Sequence, residues 1–183
     1  MIIKSYEIKK KINISKNKFF LLYGENFGLK KDIKDLISKE ITKVEKDIEF
    51  SSFYENEIID SEENFYNLIY SGSLFGKNKI ITIYDATDKI INKLNDIYEK
   101  FPEGITIIIF SDILEKKSKL RNLFEKEKEI ICIPCYLDNE KDLGTIAQLE
   151  FKKNNIALSR EAINLLIEKA NFDRNNLRNE IEK

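Results

Sequence analysis

The sequence predicts an α/β fold, a five-stranded parallel sheet with helices on both faces followed by a helical segment, and three observations lead there. Short apolar runs and amphipathic stretches alternate as far as Tyr136. The runs are continuous rather than alternating in polarity, as strands covered on both faces require. From Asp138 onward strand signals stop and only helical periodicity remains.

Phe19-Phe20-Leu21-Leu22-Tyr23 reads as a central strand, after which Gly24 to Gly28 turn the chain and Ile33, Leu36, Ile37 and Ile41 form a helical stripe. Ile48 to Tyr54 is a more polar strand, placed nearer a sheet edge. Ser61 stands where it can cap a helix bearing Phe65, Leu68 and Ile69. Lys79 to Tyr84 is the third strand. Ile90, Leu94, Ile97, Tyr98 and Phe101 form the next stripe, which Pro102 ends. Ile105 to Phe110 is the clearest buried strand; a helix through Leu120, Leu123 and Phe124 leads to a last strand around Cys132. Three helices follow, marked by Leu143, Ile146, Ala147 and Phe151, by Ile163, Leu166, Ile167 and Ala170 behind Ser159, and by the stretch from Asp173. The boundaries expected are an α/β domain over residues 1–137 and the start of a helical domain over residues 138–183. Its last helix still runs at Ile181-Glu182-Lys183 without Gly, Pro or cap, so a chain cut inside that domain is expected.

Composition narrows the function. Lys and Arg number 31 against 32 Asp and Glu, a net charge of −1, so no basic field marks nucleic acid as a direct partner. The clusters at Lys9 to Lys11, Lys30 to Lys31 and Lys116 to Lys119 read as solvated faces. No apolar run approaches bilayer length and Met1-Ile2-Ile3-Lys4 lacks the regions of a signal peptide, so a cytoplasmic protein without membrane contact is expected. The chain contains no histidine, which removes Ser-His-Asp, Cys-His and His-ligated metal sites together. Cys132-Ile133-Pro134-Cys135 has redox spacing, but it lies in a strand rather than at a helix N-terminus, and core cysteines are the expected reading over thioredoxin-like chemistry.

The first strand-to-helix turn, Gly24-Glu25-Asn26-Phe27-Gly28-Leu29-Lys30-Lys31, is where a doubly wound sheet would hold a phosphate. Against G-x-x-x-x-G-K-[ST], Gly24 and Lys30 fall in register, whereas Leu29 replaces a glycine and Lys31 replaces the magnesium-binding hydroxyl. Asp85 supplies a carboxylate at a strand end, followed by Ala86 where a hydrolytic site would want a base. The expectation is a degenerate, empty loop with Gly24 making a tight turn and Lys30 solvated; a divergent nucleotide site is the alternative.

Ser71-Gly72-Ser73-Leu74-Phe75-Gly76 sets two bulky apolar residues in a turn-forming frame. Such a pair either covers the core or anchors another protein.

"FFLLYGENFGLKKD", "SGSLFGKNKIITIYDATDK" and "KKSKLRNLFEKEKEIICIPCY" together resemble the delta subunit of the bacterial DNA polymerase III clamp loader, with Cys135-Tyr136 and Leu120-Arg121 most like its alphaproteobacterial branch. The resemblance implies an AAA+ type domain and a helical lid, without cofactor or ATPase activity of its own, in a subunit of DNA polymerase III. It implies that the protein binds the sliding clamp and holds one interface of the ring open. By residue match, Ser73, Leu74 and Phe75 would carry the clamp contact. Other partners implied are the gamma/tau and delta prime loader subunits, joined through a third, collar domain that this chain does not reach, and DNA through the complex.

Overall fold

A run that is apolar at every position is satisfied only where both faces and both edges of a strand are covered. The structure, a computed structural model describing residues 1–13, 16–71 and 78–183, places β1 (Phe19–Tyr23) in such a position. The sheet order is β2-β3-β4-β1-β5, with β2 at Glu49–Tyr54, β3 at Lys79–Tyr84, β4 at Ile105–Ser111 and β5 at Ile131–Pro134. All neighbours run parallel, and Leu21 lies between Ile109 of β4 and Cys132 of β5. The P-loop/AAA+ type of sheet is therefore present. Every residue of β1 and β4 is buried, whereas the edge strand β2 leaves Phe50 and Tyr54 exposed.

The helices are α1 (Ile8–Lys11), α2 (Phe27–Val44), α3 (Glu55–Asp60), α4 (Glu62–Tyr70), α5 (Ile91–Glu99), α6 (Lys119–Lys126), α7 (Glu140–Lys153), α8 (Arg160–Lys169) and α9 (Arg174–Glu182). The chain divides into two units, Met1–Glu25 with Lys30–Cys135, and Asn26–Leu29 with Tyr136–Lys183.

In the first unit, side chains of alternate strand residues point to opposite sheet faces. One face carries Phe19, Leu21, Ile81, Ile83, Ile107 and Ile109 into a core closed by Ile58, Phe65, Ile69, Leu94, Ile97, Leu120 and Phe124 from α3 to α6. The Phe19 ring lies 4.9 Å from that of Phe124 and 5.7 Å from that of Phe101. The other face meets α2, whose Ile33, Ile37 and Ile41 are buried.

In the second unit α7, α8 and α9 pack through Leu143, Ala147, Ile163, Ile167, Ala170 and Leu177. Each begins at a side-chain cap: Asn139 accepts from the Asp142 amide, Ser159 from Ala162 and Asp173 from Asn176.

Several details depart from the sequence expectations. Ser61 occupies the N-cap position of α4 without a side-chain capping bond. Helix α3 was not anticipated, and α5 ends at Glu99, so Phe101 packs on Phe19 from outside the helix. The segment at Ile2 pairs with Cys132, whose amide donates to the Met1 carbonyl at 2.9 Å. Among the described residues, no helix is long and apolar enough to cross a membrane.

Phe19 is 1% exposed at the centre of this packing, so Phe19→Ala is expected to lower unfolding free energy by about 3–5 kcal/mol through the cavity it leaves. The urea midpoint measures this, and an unchanged midpoint contradicts the packing.

Candidate functional site

In an open parallel sheet a ligand crevice forms beyond the carboxyl ends of neighbouring strands whose connections leave in opposite directions. The observed order puts that point between β1 and β4, beyond Tyr23 and Ser111. Gly24 leaves β1 with φ of +125°, and a Cβ there would lie 2.3 Å from the Cys135 carbonyl oxygen. Only glycine fits. Its amide is shared between the carbonyl oxygens of Ser111 and Asp112, each at 3.2 Å.

Lys30 converges on the same place. It is 3% exposed, its Nζ donates to the Ser111 carbonyl at 2.9 Å, and the Asp112 carboxylate lies 3.5 Å away. This corrects the solvated Lys30 expected from the sequence. The stripe on α2 contained the signal: Lys30 stands three residues before Ile33 and seven before Ile37, on the buried face. The exposed lysines of the other basic clusters, Lys116, Lys117 and Lys119 among them, are solvated as expected.

Asp85 is placed apart from this pair. It is exposed, with φ of +56°, and lines a hollow of about 300 Å³ with Tyr54, Glu55, Asn56 and Glu57. Glu55 accepts from the Thr87 amide at 2.6 Å and hydroxyl at 2.7 Å, and Glu57 accepts from the Tyr54 amide at 2.7 Å. Two of the three acids thus serve the local fold. Among the described residues, no group of His, Cys, Asp or Glu side chains is arranged to hold a metal ion.

The second unit holds polar residues that sequence reasoning missed. Asn26 Oδ1 accepts from the Leu29 amide at 2.9 Å, capping the first turn of α2, while Asn26 Nδ2 donates to the Asp138 carboxylate at 2.8 Å. That carboxylate also receives Arg174 Nε at 2.9 Å, and both charged side chains are nearly buried. Asn175 packs against Gly28, where a Cβ would come within 2.9 Å of its side-chain oxygen. An Asn three residues ahead of Leu29 is a readable cap signal. The Asp138–Arg174 pair spans 36 residues and leaves no local trace.

Cys132 and Cys135 are both buried and unbridged. Burial pushes the Cys132 thiol up to about 12, and the Glu125 carboxylate adds to the shift. The thioredoxin-like alternative needs a shift in the other direction. The predicted clamp contact at Ser73, Leu74 and Phe75 lies outside the described residues.

The family model for DNA polymerase III, delta subunit, matches residues 20–135. A curated relative, the probable DNA polymerase III subunit delta of Rickettsia prowazekii, is 25% identical over 155 residues, which cover 85% of this chain and 46% of the relative. The chain thus spans about half the length of that relative. Among solved structures, the Bacillus subtilis DNA clamp loader delta protein superposes with a TM-score of 0.57 at 12% identity, covering 97% of this chain and 56% of that one. Domain III of the Thermotoga maritima replication initiation protein DnaA gives 0.54 at 18% identity, covering 96% and 77%. At these identities the two structures speak for the fold.

For Cys132 the raised thiol favours the protonated native state. The stability it contributes is present in full below its ordinary value of 9.0 and is lost as pH rises toward about 12. Denaturation midpoints are therefore expected to fall above that lower value, and native-state alkylation by iodoacetamide near neutral pH is expected to be slow. Rapid labelling contradicts the burial.

Proposed function

Because the chain belongs to the DNA polymerase III delta-subunit family, we propose that it acts as a clamp-loader subunit, binding the sliding clamp and holding its ring open during DNA replication without hydrolysing ATP itself. The family match over residues 20–135 carries the reading. Its partners in this role are the clamp, the gamma/tau and delta prime subunits, and DNA through the assembled loader, with the cytoplasm as its place of action. Residues 1–137 form the degenerate AAA+ like domain, and residues 138–183 begin the helical lid.

The geometry supports the absence of ATP chemistry. In a phosphate loop the lysine reaches the terminal phosphates. Here the Lys30 ammonium is spent on the Ser111 carbonyl and the Asp112 carboxylate. Lys31, at the position of the magnesium hydroxyl, is exposed and cationic, and Ala86, after Asp85, offers no base. Titration calorimetry with magnesium-ATP is expected to show no stoichiometric binding. A stoichiometric magnesium-dependent isotherm sinks this part of the reading.

Leu74 and Phe75, which Gly72 and Gly76 flank in the sequence, serve as the clamp anchor. Compact apolar groups that become desolvated in a partner pocket dominate interface energies. Truncating both to Ala is expected to weaken clamp binding by about 3–4 kcal/mol, on the order of a hundredfold or more, with little change in melting temperature. A large fall in melting temperature with unchanged clamp affinity would return the pair to the core.

A further inference from the structure

The two edges of the sheet are treated differently. At β5 the outer edge receives the N-terminal segment, through the pairing of Ile2 with Cys132. At β2 it is open. The Glu49 amide donates to the Asn78 carbonyl at 2.8 Å, so Glu49, Ser51 and Phe53 turn their backbone groups toward β3 and the residues between them turn theirs outward. Among the described residues, neither the amide nor the carbonyl of Phe50 or Ser52 has a protein partner. Such a row is a template for another strand, and proteins commonly guard it with lysine or proline. β2 contains neither, and Phe50 is 61% exposed and Tyr54 51%.

The surroundings select what fits against this edge. Phe53 packs on Phe65 with ring centroids 5.3 Å apart, which holds the strand in place from the opposite face. On the face of Phe50 and Ser52 a hollow of about 300 Å³ opens between β2 and α2, bounded by Lys34, Asp35, Ser38, Phe50, Thr82 and Tyr84. An added strand presents every second side chain to that face. Beyond Tyr54, whose ring lies 5.5 Å from that of Tyr84, the edge leads to the hollow of Glu55, Glu57 and Asp85. Lys89 lies 4.0 Å from the Glu55 carboxylate and Glu57 is bonded to the Tyr54 amide, whereas Asp85 makes no ion pair among the described residues. The carboxyl end of the edge is therefore acidic. A second copy of β2 related by a two-fold axis would run antiparallel and bring its own Asp47 and Glu49 to that end, like charge against like. A basic residue is complementary there.

We propose that the outer edge of β2 is a docking site for an extended segment of another protein, which adds to the sheet as an antiparallel strand, lays small apolar side chains beside Phe50 and sets a basic N-terminal end against Asp85. Backbone pairing gives affinity in this mode, and the side-chain hollow and the acidic end give selectivity. The proposal goes beyond the clamp-loader reading and does not depend on it.

The test uses the full chain and a fluorescein-labelled synthetic peptide, KRSVTVSVS, with binding read by fluorescence anisotropy and folding by circular dichroism. Two further peptides complete the set: EESVTVSVS, and the basic peptide N-methylated at alternate residues along the edge that pairs. The basic peptide is expected to bind, the acidic one several-fold more weakly, and the N-methylated one not at all. Ser52→Pro removes an outward amide without touching a bond to β3, and is expected to weaken binding about tenfold or more in a protein that still folds. Asp85→Asn is expected to narrow the gap between the basic and acidic peptides about threefold. Should Ser52→Pro not fold, Phe50→Lys, which places a charge on the same edge, carries the same comparison. Absence of binding by the basic peptide overturns the proposal. So does binding that survives backbone N-methylation or the edge substitution, and so does equal binding of the acidic peptide. Sedimentation equilibrium of the protein alone adds one more arm: a dimer that Ser52→Pro dissolves assigns the edge to a second copy and overturns the proposal as well.

Discussion

Strand β1 is hydrogen-bonded along both edges, by β4 and β5, and all five of its residues are buried. That constraint orders the α/β unit. No polar side chain can be placed along the strand without losing its water, so chemistry is confined to what lies beyond its carboxyl end. The backbone there is crowded, with Gly24 against the Cys135 carbonyl, and the Ser111 carbonyl accepts from both the Gly24 amide and Lys30. The lysine reaches this point because the face of α2 that bears Ile33, Ile37 and Ile41 is pressed against the sheet.

Lys30 and Lys79 apply one device at two places. Each ammonium is withdrawn from water and donates to backbone carbonyls at the end of a regular element, β4 in one case and α4 in the other. Hydrogen bonds to charged groups contribute about 1.5–3 kcal/mol each, enough to offset much of the desolvation of a lysine whose stem stays in apolar surroundings. The second unit uses a bidentate ion pair instead, with Arg174 on Asp138 and Asn26 supplying a further donor. Removing one partner of such a pair leaves an uncompensated buried charge, which is why it holds its geometry.

The sequence revealed those elements whose signal is local. β1, β3 and β4 are continuous apolar runs, and the caps at Ser159 and Asp173 precede clear stripes. Helix α3 escaped because Glu55 to Asp60 offers only Ile58 and Ile59, too few for a period. The pairing of Ile2 with Cys132 escaped because the two lie far apart in sequence. Both buried lysines were legible in principle, Lys30 at a stripe position and Lys79 at an inward position of β3. Reading charge as exposure hid Lys30, whereas Lys79 was read only as the opening residue of a strand. At the candidate site, Gly24 and Lys30 do meet, whereas Asp85 stands in its own hollow with Glu55 and Glu57.

The distinction bears on how a degenerate motif should be weighed. Gly24 and Lys30 match a phosphate-loop pattern, yet each has a packing reason to be what it is. A side chain at position 24 would collide with a backbone carbonyl, and a shorter or apolar one at position 30 would leave the Ser111 carbonyl without its ammonium donor. Matches at positions that the fold itself demands carry little information about a ligand. The informative positions are those the fold leaves free. Lys31 is exposed and could have been a hydroxyl residue without disturbing the core; Leu29 is only half-buried, and what is bonded there is its backbone amide, to Asn26. At both, the chain departs from what a bound phosphate and its magnesium would need. A fold is inherited through its packing, and a site through the residues packing does not require; here the two kinds of residue point in different directions.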